Sequence, residues 1–192
     1  SSANIFNTVK GFTKAWSGRG NNLFLPHLQV PRSSLNTSID GARRFVAQSW
    51  PFARIRAVGK AFDGTFNDAV LAMCAGALRK YLELHAELPD DSLKAMVPVS
   101  LRKEGDVDAG NAIAAISADL ATNTADPTQR FRAIQASVQA GKDYFRAMSP
   151  KELELFTLLM QTPSLLLQPF GLMSKLPPYN TVISNVPGIA QT

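Results

Sequence analysis

Val70, Leu71, Cys74, Ala77, Leu78, Tyr81 and Leu82 recur at helical spacing, which predicts an amphipathic helix with this stripe buried and Arg79, Lys80 and Glu83 outside it. Asp63-Gly64 turns the chain just before it. Thr65-Phe66-Asn67-Asp68 opens the helix: Thr65 can cap Asp68 three residues on, and the acid suits the positive end of the helix dipole. The end is expected near Ala86, before Pro89. Asp126-Pro127 opens a second helix with Phe131, Ile134, Val138, Phe145 and Met148 along one face. Ser149-Pro150-Lys151-Glu152 is a further capping box, opening a helix to about Gln161. Thr162-Pro163 is then expected to restart the chain, and Pro169 to break it again before Phe170 to Met173.

Between these helices lie short apolar runs of strand character. Lys94 to Ser100 is one, with Pro98 pointing to an edge or a bulge because proline cannot donate to a ladder. Asn111 to Leu120 follows the charged turn Asp106 to Gly110, and Thr181 to Val186 reads as a buried strand that Pro187-Gly188 ends. Arg44 to Trp50 is strand-like in its β-branched and aromatic content, and Pro51 begins a short helix toward Phe62. Residues 1 to about 34 are polar and punctuated by Gly, Pro and Asn, with room for one short helix around Ile5 to Trp16; they read as a linker or crossover. Helices alternating with short strands predict an α/β protein with a mixed sheet flanked by helices, α+β being the alternative. No internal repeat is visible.

The apolar region Phe156 to Met173 carries two prolines and two glutamines and falls short of the ~20 residues a span needs, so it reads as a buried helix pair or a surface that touches lipid. Over 192 residues, 45% apolar and 18% charged content fits a packed globular protein. The single cysteine, Cys74, can form no internal disulfide, which points to a reducing, cytoplasmic setting and a buried, inert thiol. No N-terminal stretch has the form of a signal peptide, and the abrupt opening of the chain points to further sequence upstream. The net charge of +5 is spread in pairs such as Arg43-Arg44 and Arg102-Lys103 without interleaved aromatics, which excludes a nucleic-acid stacking platform. A phosphate-rich small ligand or an anionic lipid surface suits it better.

Histidine chemistry is sparse. His27 lies in a proline-flanked loop and His85 near a helix end, neither beside a serine and an acid in a triad pattern. Two histidines and one cysteine are too few for a zinc site of the usual ligand types, and no P-loop or GxGxxG occurs. Amides and hydroxyls recur instead at element ends: Asn67-Asp68, Ser100 and Arg102, Gly110-Asn111, and Ser184-Asn185. Such groups cap turns, hold a polar substrate, or stabilise a developing oxyanion.

In order and spacing, Asn67 to Ala72 with Gly76 to Arg79, Val97 to Arg102, Gly110-Asn111 and Ile183 to Gly188 resemble the bacterial wax ester synthase/acyl-CoA:diacylglycerol acyltransferase family. The resemblance covers about Pro31 to Gly188. It implies the two-lobe fold of chloramphenicol acetyltransferase-like, CoA-dependent enzymes, with residues 1–34 as the interlobe linker and 35–192 as most of the C-terminal lobe. It further implies an O-acyltransferase that moves a fatty acyl group from acyl-CoA to a long-chain alcohol or diacylglycerol, acyl-CoA being a substrate and no cofactor being bound. A peripheral position at a membrane or lipid droplet follows from such substrates.

The family signature HHxxxDG, whose second histidine is the general base, is absent; Ser38-Ile39-Asp40-Gly41 shares only its Asp-Gly. The chain is therefore expected to be a segment lacking the base-bearing N-terminal lobe, inactive alone. A second departure is Ile189, where the family continues the Asn-Val-Pro-Gly turn with another proline. By matching positions, Asn67 and Asp68 would support the active-site wall, although Asp68 also reads as a cap. Ser184, Asn185 and Gly188 would line the channel near the acyl carrier, and Ser100, Arg102 and Asn111 would meet the substrate, Arg102 at coenzyme A phosphates. A non-enzymatic condensation-like module and a peptide-synthetase condensation domain are the alternatives.

Overall fold

A computed structural model describes residues 30–38, 40–100, 113–170, 175 and 177–186. Its elements are α1 (Phe52–Ala61), α2 (Phe66–Leu84), β1 (Lys94–Ser100), β2 (Ile113–Asp119), α3 (Pro127–Arg146), α4 (Pro150–Leu167) and β3 (Thr181–Val182). Short 3-10 turns cover Ser34–Asn36 and Gln168–Phe170. The strands form a mixed sheet of order β2-β1-β3: β1 runs antiparallel to β2, from Lys94 opposite Asp119 to Ser100 opposite Ile113, and parallel to β3. Residues directly opposite share a face, so Ala95 and Val97 bury the same side as Ala118 and Ile116. Leu71, Ala75 and Leu82 of α2 with Ile134 and Val138 of α3 complete that core.

Local chemistry sets the helix ends as the sequence indicated. Thr65 and Asp68 form a full capping box on α2, the Thr65 amide and hydroxyl both donating to the Asp68 carboxylate at 2.8 Å. Asp126 caps α3 through the Gln129 amide at 2.7 Å. The turn from α1 to α2 needs a residue in the left-handed region, supplied by Asp63 at φ 53°, and a glycine at 59, where a Cβ would stand 2.7 Å from the Thr65 carbonyl oxygen. Gly141 likewise lets α3 settle on β2, since a Cβ there would lie 3.3 Å from Ile116.

Five expectations change. The buried stripe of α2 is rotated: Ala69 and Ala75 are inside, whereas Ala77 is exposed and Tyr81 is 49% exposed, because α3 packs on the Leu71–Ala75 side. Arg44 to Trp50 forms no strand; residues 41–50 are all exposed, and none of the described residues supplies the ladder that strand propensity requires. β1 is central rather than an edge. Helix α4 runs through Pro163 to Leu167; its leucines favour helix, and Thr162 Oγ1 donates back to the Leu158 carbonyl beside the proline at 2.8 Å. Only Thr181–Val182 of the last strand pairs regularly, and residues 184–186 are exposed. The expected helix at Ile5 to Trp16 lies outside the described residues.

Candidate functional site

The two ends of the sheet differ in how their polar groups are used. At the start of β1 everything is tied down. The Lys94 amide donates to Asn180 Oδ1 and the Asn180 amide to the Lys94 carbonyl, both at 2.9 Å. Asn180 Nδ2 in turn reaches the Pro31 carbonyl at 2.9 Å and Asn36 Oδ1 at 2.7 Å, clasping the N-terminal connection to the sheet. The Lys94 ammonium, nearly buried, pairs with Asp119 at 2.7 Å. Beside them the Thr122 hydroxyl accepts from the Leu93 amide, and Ser92 Oγ from the Thr122 amide. Arg79 donates to the Thr122 carbonyl, joining α2 to this end.

The opposite end carries fewer side-chain hydrogen bonds among the described residues. Here β1 finishes at Ser100, facing the first residue of β2. Alongside, the Ile183 amide donates to the Met96 carbonyl at 3.0 Å. The next parallel ladder bond would run from the amide of residue 98 to the Ile183 carbonyl, but Pro98 has no N–H, so pairing stops there. The chain leaves the sheet, and Ser184 and Asn185 stand exposed, with no side-chain hydrogen bond to the described residues. A hydroxyl and a carboxamide at a strand end can donate to a carbonyl or an oxyanion.

Asn67 and Asp68 sit elsewhere. Phe62 stacks on Phe131 at 4.5 Å, Arg132 donates to the Phe62 carbonyl at 2.6 Å, and Gln135 to the Asp63 carbonyl at 3.1 Å. These bonds hold the start of α2 beside the first turns of α3. Ser137, one turn on, accepts from the amide of Asp119, which lies opposite Lys94 at the tied end. The structure thus puts Asn67-Asp68 and Ser184-Asn185 in separate places. The buried Asp68 carboxylate is consumed by the cap, whereas the half-buried Asn67 makes no side-chain hydrogen bond to the described residues. Arg102, Asn111 and Gly188 lie outside the described residues, as does His27.

Cys74 and His85, the cysteine and histidine among the described residues, are both occupied structurally. Burial pushes the half-buried Cys74 thiol up, away from the thiolate. His85 donates its Nδ1–H to the Tyr81 carbonyl at 2.7 Å, and its ring lies tilted against the Tyr81 ring. Among the described residues no cluster of His, Cys, Asp and Glu could hold a metal ion. Sequence reasoning missed Asn180 and the Ser92–Thr122 pair, whose partners are far away in the chain; a polar residue directly after Pro177-Pro178-Tyr179 was the only local signal.

A mixed sheet with helices packed on one face is an α/β fold. The chain superposes on the wax ester synthase/diacylglycerol acyltransferase from Marinobacter aquaeolei VT8 with a TM-score of 0.71 and 36% identity, covering 96% of this chain and 39% of that one. Residues 6–70 match the family model described as the wax ester synthase/diacylglycerol acyltransferase catalytic domain, and residues 109–192 the WS/DGAT C-terminal domain. The chain belongs to the wax ester synthase/diacylglycerol acyltransferase family. A relative named as a diacylglycerol O-acyltransferase, from Mycobacterium tuberculosis, is 45% identical over 160 residues, 83% of this chain and 36% of that protein. The O-acyltransferase WSD of Acinetobacter baylyi is 44% identical over 160 residues, 83% of this chain and 35% of its own length. The chain thus spans little more than a third of these relatives.

Proposed function

We propose that this chain is the C-terminal part of an O-acyltransferase that moves a fatty acyl group from acyl-CoA to a long-chain alcohol or diacylglycerol, with residues 1–34 leading in from the lobe that bears the general base. The observation that carries the reading is the 36% identity to the Marinobacter enzyme along 96% of the chain. In this scheme a histidine outside these residues takes the acceptor's hydroxyl proton, and the alkoxide attacks the thioester carbonyl. The tetrahedral oxyanion collapses, the carbon–sulfur bond breaks, and the coenzyme A thiolate takes up the proton. Ser184 and Asn185, exposed just after β3, are suited to donate to the acyl carrier or the oxyanion. Ser100, Arg102, Asn111 and Gly188 would contact the substrates around the same end, Arg102 at coenzyme A phosphates, and Asn67 would brace the wall that Asp68 caps.

Acyl chains of this kind are drawn from a lipid phase. The exposed leucines of α4 suit contact with a membrane or lipid droplet from the cytoplasmic side, and no helix among the described residues is long and apolar enough to cross a membrane.

The test is coenzyme A release by the full-length protein supplied with palmitoyl-CoA and either hexadecanol or diacylglycerol. Release with one or both is expected, and S184A/N185A should lower kcat/KM about 10²-fold, the cost of an oxyanion donor. No release with either acceptor, but transfer from a carrier-protein thioester, would replace this reading with a condensation domain.

A further inference from the structure

The first turn of α3 closes, with α1 and α2, a groove of about 450 Å³, within the size range of small-molecule sites. Its walls are apolar, among them Trp50, Phe62, Met73 and Phe131, and its polar residues include two arginines, Arg54 and Arg130. Arg54 is exposed on α1. Arg130 is only 9% exposed. Its Nη1 donates to the carbonyls of Thr124 at 2.8 Å and Ala125 at 3.2 Å, and its Nη2 lies against Gly76, 3.4 Å from where a Cβ would stand. Its Nε is buried and has no partner among the described residues.

Among the described residues no carboxylate pairs with Arg130; the ion pairs there are Arg79–Glu83, Lys94–Asp119 and Arg146–Asp143. A buried guanidinium held only by two neutral carbonyls is costly unless an anion joins it. Arg130 lines the groove together with Arg54 among mostly apolar side chains, so a ligand that brings the negative charge must also bring an apolar body. We propose that this groove binds a long-chain carboxylate, its head against Arg130 with Arg54 as the second cation and its tail along Phe62, Met73 and Phe131. A carboxylate fits the planar fork of a guanidinium bidentately, and neither the Arg130 Nε–H nor its Nη2–H has a hydrogen-bond partner among the described residues.

Trp50 reports on the groove once Trp16 is changed to Phe, because the chain has two tryptophans. In that W16F protein, dodecanoate should change Trp50 emission saturably, decanoate should bind roughly 10-fold more weakly for its two lost methylenes, and dodecanol at least 10-fold more weakly for its lost charge. Ala72→Phe, which fills the groove wall, should abolish the response to all three. Arg130→Met should erase the preference for dodecanoate over dodecanol. Should that variant unfold because the Thr124–Ala125 turn loses its donor, Arg54→Ser at the exposed position should still weaken dodecanoate about 3-fold and leave dodecanol unchanged. Equal binding of dodecanol and dodecanoate, no saturable response, an unaltered response in A72F, or tighter binding of dodecyl phosphate than of dodecanoate would each overturn the assignment. The readout is binding to this chain, so it stands apart from the outcome of the acyl-transfer assay.

Discussion

Ala86 follows α2 with φ of 56°, a left-handed conformation that costs an L-residue roughly 1–2 kcal/mol. The Glu87 amide reaches the Leu82 carbonyl at 2.9 Å and the Ala86 amide the Glu83 carbonyl at 3.1 Å, the pair of bonds that ends a helix on such a residue. Ala86→Gly removes the strain and keeps both bonds, so it should stabilise the protein by roughly 0.5–1 kcal/mol in urea unfolding, part of the gain being returned to the freer unfolded chain. A second residue-level device is titratable. Ser149 donates its amide at 2.8 Å and its hydroxyl at 2.7 Å to the Glu152 carboxylate, and the backbone bond, then the hydroxyl, holds that acid below the usual carboxylate range. A depressed folded pKa gives stability that is present above the unfolded value of about 4.3 and fades as pH falls through the folded one. The stability gap between the wild type and Glu152→Gln should therefore be open at pH 7 and close toward pH 3, a gap independent of pH counting against the cap. Both capping boxes were legible in the sequence because cap and partner lie three residues apart. Asn180 was not, since its partners Pro31 and Asn36 lie 149 and 144 residues away.

At the scale of elements, Pro98 was read correctly in its chemistry and wrongly in its place. A missing donor points to an edge strand or a bulge, and among the described residues β1 is central, not an edge. The bonds of Lys94 and Met96 point to β3, so by alternation the nitrogen of residue 98 points there too, past the last paired residue. The proline therefore trims the neighbouring strand instead of its own. Pro98→Ala restores a donor opposite the Ile183 carbonyl, and the parallel ladder should lengthen toward Asn185. Hydrogen exchange would show it: slow exchange at the amides of 98 and 185 is expected, and fast exchange at 98 would mean that something other than the proline ends β3. The same variant in the full-length protein should lose activity if Ser184 and Asn185 work only when free of the sheet. Helix positions were readable because their period is local, whereas strand order and the fate of Arg44 to Trp50 depend on partners that no local pattern names. Pro163 shows the converse limit, a local rule overridden by the leucine-rich helix around it.

For the whole molecule, the unresolved balance is between apolar surface and water. Helix α4 and the turn after it carry no charged residue between Glu154 and Lys175. Leu158, Leu165 and Leu166 are 60–65% exposed, and Phe170 is 76% exposed. Leu158 and Leu165 are seven residues apart, and with Leu166 one position on they share a face of the helix; Phe156 of the same helix is buried against Tyr144 and Phe145. The helix thus packs through one side and offers leucine on another. Singly exposed leucines are ordinary, but here three cluster on one helix face beside an uncharged run, an apolar surface large enough to be tested for lipid contact. Each leucine or phenylalanine removed from water contributes about 1.5–3 kcal/mol when fully buried, and partial immersion a fraction of that. L165S/L166S/F170S should accordingly weaken flotation of the full-length protein with phosphatidylcholine vesicles by roughly 10²-fold, even at high salt, where the scattered basic charge of +5 is screened. Binding that survives the triple change but disappears in salt would assign the membrane contact to the arginines and lysines, and leave the leucines to be covered by another part of the protein.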